Sequence, residues 1–213
     1  MAQELINNDI CCRLSISKEA LSSLPAAHYS SRAEVIDKVE DIPEAVSRLR
    51  EAGLIGFDTE TRPSFRKGVS HTVSLLQLAS PSCCYLFRIH KTGLTKELIS
   101  LLEDELPLKV GLSLRDDFHQ LGKAGLKQPG GFLDLQKYVK SYGIVDNSLS
   151  RIYAILFGQR IAKAQRLSNW EAPTLTEAQI NYAALDAMAC LRIYTHLTDG
   201  QFNPEESQYK QEA

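Results

Sequence analysis

The sequence predicts one α/β domain of three layers, in which a mixed central sheet carries helices on both faces. Three observations lead to this fold class. Short apolar runs of strand length dominate the first part of the chain, strand and helix patterns alternate after them, and helical periodicity then continues almost to the end. A chain of 213 residues is also long enough to bury one substantial core.

Strands are predicted where short apolar runs are bounded by turn-forming residues. We place them at 34–39, 54–57, 73–79, 83–89 and 109–112. The Pro-Ser pair between the third and fourth runs predicts a short hairpin, whereas helical patterns separate several of the other strands. Together these connections favour a sheet of mixed direction.

Helices are predicted by apolar residues spaced three and four apart and by capping signals at their starts. One helix follows Asp41 and has Pro43 in its first turn, a second covers 95–103, and a third begins near Arg115. From there the pattern is largely helical to Leu197.

The two ends of the chain differ from its middle. Residues 1–30 predict an N-terminal arm or extra helix, residues 31–198 the main domain, and residues 199–213 a polar C-terminal tail. The start lacks the basic and apolar regions of a signal peptide, and no apolar run reaches the roughly 18 residues of a membrane span. The five cysteines have no metal or disulfide spacing, so we expect reduced thiols, a cytoplasmic location and no membrane partner.

The charge of the whole chain carries no signature of a polyanionic partner. Lys and Arg number 24 against 26 Asp and Glu, which gives a formal net charge of −2. A protein that binds nucleic acid or anionic membrane through its overall charge would be strongly basic. Any site for a polyanion must therefore be local.

The first acidic pattern directly follows the predicted strand at 54–57. Asp58 and Glu60 are two residues apart, so the period of a strand puts both side chains on the same face. Paired carboxylates suit Mg²⁺ or Mn²⁺ better than zinc, and the edge of an open α/β sheet is a common place for such a site. A solvated acidic strand end is the alternative that this pair alone leaves open.

The second pattern, Asp116 and Asp117, lies at the start of a helix, and its two acids are not equivalent. Helical spacing puts Asp117 on the face of Leu114 and Phe118, toward the sheet, and Asp116 on the opposite face. The charge of Asp116 is explained by its favourable position at a helix start. An acid directed at the core, such as Asp117, needs a cation or a partner.

The third pattern combines Tyr182 with Asp186 in a helix whose start we place near Thr174 or Thr176, because either begins a capping box. Spacing of four residues puts the phenol and the carboxylate on one face. The same face continues through Ile193, so it is predicted to be buried. A core tyrosine with a satisfied hydroxyl is the alternative for Tyr182 alone.

Four acids and a tyrosine at one place would crowd like charges unless divalent cations neutralised them, which points to a two-metal site. The three motifs, in this order, resemble those of the DEDD-type 3′-5′ exonucleases of the tyrosine subclass, such as ribonuclease D and the exonuclease of the Werner-syndrome helicase. The similarity covers about residues 34–197 and includes two further stretches, at 73–78 and 167–170.

The resemblance implies a ribonuclease-H-like fold and an exonuclease domain over 31–198. It implies two divalent cations, Mg²⁺ or Mn²⁺, that Asp58 bridges. Glu60 and Asp186 would bind one of these cations, and Asp117 would assist the other through water.

The same resemblance gives Tyr182 the role of hydrogen-bonding and orienting the attacking water, because a phenol is too weak an acid to serve as a strong base at neutral pH. Two cations roughly 3.5–4 Å apart can stabilise both the entering and the leaving oxygen of a displacement at phosphorus. The implied reaction is hydrolysis from the 3′ end of single-stranded DNA or RNA, which releases nucleoside 5′-monophosphates.

Local basic and aromatic residues near the motifs are candidates for contacts to nucleic acid, with ordinary surface charge or core packing as the alternative for each. They are Arg62, Arg66 and Lys67 after the first motif, and Arg160, Lys163, Arg166 and Trp170 before the third. For Trp170, core packing is the preferred reading.

Two other functions stay open at this stage. A haloacid-dehalogenase-like phosphatase also has an acidic strand end, but here Glu60 replaces its second Asp, and the late acidic cluster of that family is lacking. The chain could also be a non-catalytic nucleic-acid-binding module on the exonuclease scaffold, although all four acids and Tyr182 are retained. Protein partners are not predicted by any pattern.

Overall fold

Six strands form one mixed sheet in the computed structural model, which describes residues 12–65, 68 and 71–211. The order across the sheet is β1-β4-β3-β2-β5-β6. The strands are β1 (Arg32–Ile36), β2 (Leu54–Thr61), β3 (Val73–Ala79), β4 (Cys83–Phe87), β5 (Leu108–Gly111) and β6 (Phe132–Asp134).

The direction of the strands is mixed, as predicted. Strand β3 is antiparallel to both of its neighbours, β2 and β4. The other three pairs, β1 with β4, β2 with β5, and β5 with β6, are parallel. The predicted hairpin joins β3 to β4, and the Ser80 amide closes it by donating to the Cys83 carbonyl at 2.9 Å.

The helices surround this sheet and follow the capping signals of the sequence. Asp41 and Pro43 lie at the start of the second helix, and the last helix begins with a complete capping box between Thr176 and Gln179. The helices are α1 (Lys18–Ser23), α2 (Ile42–Glu51), α3 (Ile89–Thr92), α4 (Lys96–Glu103), α5 (Arg115–Lys123), α6 (Leu135–Tyr138), α7 (Leu149–Phe157) and α8 (Glu177–Thr198).

Helices pack on both faces of the sheet, which confirms the predicted three-layer fold. On one face α2, α4 and α5 contribute leucines and other apolar side chains to a core that includes Phe57 and Leu78 of the central strands. On the other face α8 lies directly on β2. A Cβ atom added to Gly56 would be 2.0 Å from the carbonyl oxygen of Ala187, so only glycine allows this approach.

The structure corrects the predicted strands at three places. The first strand ends at Ile36 rather than at Val39, which belongs to a short 3-10 turn over Val39–Asp41. Strand β2 continues through Thr61, so its acids lie within the strand and not after it. Their pairing is one-sided, because β5 pairs with β2 only as far as Gly56, while β3 continues alongside to Thr61.

The third correction concerns β6, which lies in a stretch that the sequence pattern predicts as helical. Phe132–Asp134 instead forms the edge strand beside β5. Gly131 precedes it with a φ of +60° and passes so close to the Glu105 carbonyl that a Cβ atom would be 2.0 Å from its oxygen. A run of three residues is too short to show a period, so only this tertiary packing defines the strand.

The two ends of the described chain pack against each other. The Ser15 amide donates to the Tyr209 carbonyl at 3.0 Å, and the Gln211 amide donates to the Arg13 carbonyl at 2.8 Å. The C-terminal residues therefore bind the N-terminal arm. The domain limits predicted at 30 and 198 stay predictions. In the described ranges, no helix combines the length and the apolar character that crossing a bilayer demands.

Candidate active site

Three carboxylates of the first and third motifs meet on the α8 face of the sheet. Asp58 and Glu60 come from β2, and Asp186 comes from α8, which Gly56 brings onto the strand. One carboxylate oxygen of each residue lies within 4.8 Å of those of the other two. Asp186 is buried, and the other two are partly buried. The three acids that the sequence patterns singled out therefore lie together, and their catalytic and metal-binding roles stay predictions.

Burial raises the pKa values of all three acids, and mutual repulsion adds to this for Asp58 and Glu60. Burial, followed by the charges of Asp186, Asp117 and Glu60, raises the pKa of Asp58 well above its ordinary value. Burial, followed by the charges of Asp186 and Asp117, raises the pKa of Glu60 to about 8. Burial raises the pKa of Asp186 to about 7, although its hydrogen bond with Tyr182 and the charge of Lys163 act in the opposite direction.

The donor set fits a divalent cation. All three groups offer oxygen atoms, which suit hard cations such as Mg²⁺ and Mn²⁺. A cation among them would remove the repulsion that raises the pKa values of Asp58 and Glu60. The cluster of Asp58, Glu60 and Asp186 can thus hold a divalent metal ion.

Asp117 lies beside this cluster but outside the group of three. It is partly buried in the first turn of α5, whereas Asp116 is exposed, as the helical spacing predicted. Its carboxylate accepts a short hydrogen bond from the Thr59 hydroxyl. Burial raises the pKa of Asp117 to about 6, and its charge in turn contributes to the raised pKa values of Asp58 and Glu60.

A residue that the sequence analysis missed, Asp134, holds the turn that starts α5. Its carboxylate accepts hydrogen bonds from the amides of Ser113 at 2.9 Å and of Leu114 at 3.3 Å. Ser113 has a φ of +61°, which is unusual for a residue other than glycine. Asp134 ends β6, so it was missed together with that strand.

Tyr182 lies one helical turn before Asp186 on α8, and its hydroxyl donates to the Asp186 carboxylate. Burial, and then the charges of Asp186 and Glu60, raise the pKa of the phenol, which therefore stays protonated. Its ring is 6.1 Å from that of Trp170. The phenol thus contacts the carboxylate cluster directly, as the spacing predicted.

An ion pair joins the two loops that border the cluster. The Arg62 guanidinium, after the first motif, donates to Glu171, before the third, at 3.0 Å. The Ser74 hydroxyl donates to the other Glu171 oxygen at 3.2 Å, and His71 is 3.9 Å from it. Glu171 was missed because its partners are far away in the sequence.

A third missed residue, Arg88, holds the loop before α8 from the opposite end of that loop's contacts, at the end of β4. It is almost fully buried at the end of β4 and donates to the carbonyls of Pro173, at 2.7 Å, and of Ala172. The adjacent His90 ring bonds the Ser74 carbonyl at 3.1 Å. Arg88 and Glu171 therefore attach the loop before α8 to the end of β4, to Ser74 of β3 and to Arg62, which follows the strand of the first motif.

The residues predicted to contact nucleic acid have different surroundings. Lys163 and Arg166 are exposed, and their charges lower the pKa values of Asp186 and Glu60 respectively, so both lie near the cluster. Arg160 instead donates to the Leu24 carbonyl at 3.1 Å and thereby attaches the N-terminal arm. Arg66 and Lys67 lie outside the described residues.

Trp170 does not have the predicted role of a stacking platform. Its side chain is fully buried and packs with Leu75 of β3 and with alanines of α8. Because no part of the indole is exposed, it cannot stack on a base, and the preferred alternative of core packing is correct. The large apolar side chains that are exposed near the site are Phe65, at 82%, and Leu167, at 60%.

Known proteins are similar to this chain in sequence and in fold. A family model described as 3′-5′ exonuclease matches residues 33–200. A 3′-5′ exonuclease of Arabidopsis thaliana is 33% identical over 183 residues, which cover 80% of this chain and 63% of that protein. A ribonuclease D of Gluconacetobacter diazotrophicus is 29% identical over 169 residues, which cover 78% of this chain and 42% of that protein.

Among solved structures, the Nibbler EXO domain of Aedes aegypti superposes with a TM-score of 0.73 at 24% identity, covering 85% of this chain and 97% of that one. This similarity confirms the predicted ribonuclease-H-like fold. The chain spans less than two thirds of the length of the Arabidopsis relative. The phosphatase alternative is wrong, because the match over 33–200 means that the chain belongs to the 3′-5′ exonuclease family, as the motifs predicted.

Proposed function

We propose that this protein is a metal-dependent 3′-5′ exonuclease. It hydrolyses phosphodiester bonds from the 3′ end of single-stranded DNA or RNA and releases nucleoside 5′-monophosphates. The observation that carries the proposal is the group of three carboxylates within 4.8 Å of one another, with the Tyr182 phenol bonded to one of them. Family membership over residues 33–200 supports it.

The proposed metals are two Mg²⁺ or Mn²⁺ ions. Asp58 would contribute to both, Glu60 and Asp186 would contribute to one, and Asp117 would assist the other through water. When bound, such ions activate a water and stabilise the charge that develops on the phosphate oxygens. The raised pKa values of Asp58 and Glu60 support this assignment, since a cation is the simplest means of keeping both acids ionised together.

Tyr182 orients the attacking water. Its phenol stays protonated beside Asp186, so it acts as a hydrogen-bonding group and not as a base. The helix holds it one turn from Asp186, so that the water and the carboxylate cluster are aligned by the same element. Positioning of this kind lowers the activation free energy, because the water is already held in the geometry that the reaction requires.

The nucleic-acid strand is proposed to bind across the two loops that border the cluster. Lys163 and Arg166 are exposed and act electrostatically on the site, so they are the proposed phosphate contacts. Arg62, and Arg66 and Lys67 of the same loop, remain candidates. Exposed Phe65 supplies a ring on which a base can stack.

The decisive experiment is cleavage of 5′-labelled single-stranded RNA and DNA with Mg²⁺, with Mn²⁺ and with EDTA, resolved to single nucleotides. We expect a metal-dependent ladder that shortens from the 3′ end and nucleoside 5′-monophosphates as products. Asp58→Ala should remove the activity and keep the fold, as judged by circular dichroism. Metal-dependent binding without cleavage would instead identify a non-catalytic nucleic-acid-binding module.

We propose a cytoplasmic location as part of this function. It is supported by the described cysteines, Cys12, Cys83, Cys84 and Cys190, which are buried free thiols. Fractionation of cells that express the tagged protein would test the location, and enrichment in a membrane or secreted fraction would contradict it.

A further inference from the structure

Gln77 lies on β3 directly opposite Asp58 in the antiparallel pair with β2. Residues in such positions point to the same face, with Cβ atoms about 4.5–5.5 Å apart. The neighbours two positions away on β3, Leu75 and Ala79, pack against α8 and Trp170. The Gln77 side chain therefore projects from the sheet on the face that carries the carboxylate cluster, next to its first acid.

The amide of Gln77 has no match in its surroundings. The side chain is fully buried, and among the described residues no group hydrogen-bonds either its oxygen or its nitrogen. A leucine or methionine would fill the same space without desolvating a polar group. Buried polar groups in native proteins have hydrogen-bond partners with very few exceptions, so we expect the Gln77 amide to have one.

The indole N–H of Trp170 is a second buried polar group of the same core that lacks a partner among the described residues. Trp170 packs with Leu75 and Ala79 in the cluster under α8, and its indole N–H, fully buried, has no acceptor within the described part of the chain. Indole is a donor only, and an ionised carboxylate is an acceptor only, whereas a glutamine amide offers one of each. Gln77 is thus able to bridge the two.

We propose that Gln77 is a positioning residue for Asp58: its amide oxygen accepts from the Trp170 indole, and its amide nitrogen donates to the ionised Asp58 carboxylate. Only this order of donors and acceptors is possible, because the indole can only donate and the ionised carboxylate can only accept. The inference deepens the proposed function, on which it rests, by assigning a partner to the acid that would hold both cations.

The bridge would fix the plane of the Asp58 carboxylate. Partners of metal-binding side chains orient their ligand atoms, and their loss typically lowers metal affinity 10- to 100-fold. It also explains why a tryptophan is buried in the loop before α8: the indole joins this loop to the first motif through the core, as Glu171 joins it at the surface.

Gln77→Met tests the bridge, because it keeps the approximate volume and removes both polar atoms. Trp170 is the single tryptophan of the chain, so its indole N–H gives one assignable signal in a proton–nitrogen NMR spectrum. We expect this signal to move upfield in the variant, and Mg²⁺ affinity, measured by calorimetry, to fall about 10- to 100-fold. The matched control is Leu78→Met, the next residue of β3, which faces the other core and should change neither quantity.

An unshifted indole signal in folded Gln77→Met, or unchanged Mg²⁺ affinity, would overturn the proposal. If the variant does not fold, a crystal structure of the wild-type protein with Mg²⁺ decides instead: the Gln77 amide must lie about 2.7–3.2 Å from both the indole nitrogen and the Asp58 carboxylate. Failure of the proposed function is a different result, because the wild-type protein would then not cleave nucleic acid at all.

Discussion

Removal of the Tyr182 hydroxyl is the smallest change that we expect to separate catalysis from binding in this site. Tyr182→Phe keeps the ring beside Trp170 and removes only the group that hydrogen-bonds Asp186. We expect kcat to fall about 100-fold, within the range of an acid–base or water-orienting group. KM should change little, because the phosphate contacts and the metal ligands remain.

Steady-state kinetics on a single-stranded oligonucleotide would measure this split. The control is Tyr194→Phe on the same helix, whose ring packs with Tyr138 away from the carboxylates. A Tyr182→Phe enzyme with normal kcat and a raised KM would contradict the role in orienting water, since the hydroxyl would then contribute only to binding.

At the scale of residues, sequence patterns indicate which acids share a face. They do not indicate the residues that hold the surrounding segments in place. Asp58, Glu60, Asp117 and Asp186 carry a local signal, because strand and helix periods fix which side chains share a face. Asp134 and Glu171 carry none: each acts through a hydrogen bond to an element far along the chain, such as the pair of Glu171 with Arg62 across 109 positions. Spacing along one sequence does not contain such contacts.

The two loops that border the cluster are coupled through Glu171, and this coupling is testable. Glu171→Gln keeps the shape but removes the charge that binds Arg62 and accepts from Ser74. We expect KM for single-stranded substrate to rise about 2- to 5-fold, in line with the ~1 kcal/mol upper value for a surface ion pair. The thermal midpoint should fall by about 2–4 °C if the full ~1 kcal/mol is lost.

The matched control is Glu44→Gln, which breaks the exposed ion pair with Arg48 on α2 and should leave KM unchanged. A double-mutant cycle with Arg62→Gln measures the coupling of the pair. A lower KM in Glu171→Gln would contradict the proposed coupling of the two loops. It would instead identify Arg62 as a substrate contact that Glu171 restrains.

Strand β6 contributes to the site through one residue, Asp134. Asp134→Ala removes the acceptor of the Ser113 and Leu114 amides at the start of α5. We expect a loss of about 0.5–2 kcal/mol of stability, the range for removing an acidic side chain that caps backbone amides. Activity should fall as well, because α5 carries Asp117.

Chemical denaturation and the cleavage assay, run in parallel, check both parts. Asp134→Asn retains one acceptor oxygen and should recover part of the stability. Full activity in a destabilised Asp134→Ala protein would mean that the start of α5 does not depend on this carboxylate. That β6 exists at all could not be predicted, because its three residues are defined by pairing with β5 and not by their own pattern.

On the scale of the whole molecule, the order of patterns was enough to predict the fold class. Buried apolar strands followed by capped helices leave few arrangements other than a mixed sheet with helices on both faces. What the order does not give is the distance between layers. Gly56 sets that distance, since its missing side chain lets α8 lie on β2 and brings Asp186 to Asp58.

The resulting charge concentration predicts how the stability of the whole molecule depends on pH and on metal. The pKa values of Asp117, Asp186 and Glu60 are raised to about 6, 7 and 8, above the ordinary values of about 4 that apply to the unfolded chain. The folded, metal-free protein therefore binds more protons than the unfolded one. Its stability is highest below about pH 4 with respect to these groups and falls as the pH rises through 8.

Divalent cations should reverse this trend, because they bind the ionised carboxylates and compete with protons. Measured by thermal unfolding, the midpoint gained with Mg²⁺ over EDTA should be larger near pH 8 than near pH 6, following the pKa values of Glu60 and Asp186. Asp58→Asn removes one charge from the cluster, so its metal-free midpoint should be higher than that of the wild type at pH 8, and Mg²⁺ should add little. An equal gain at both pH values, or a full gain in Asp58→Asn, would show that Mg²⁺ binds elsewhere.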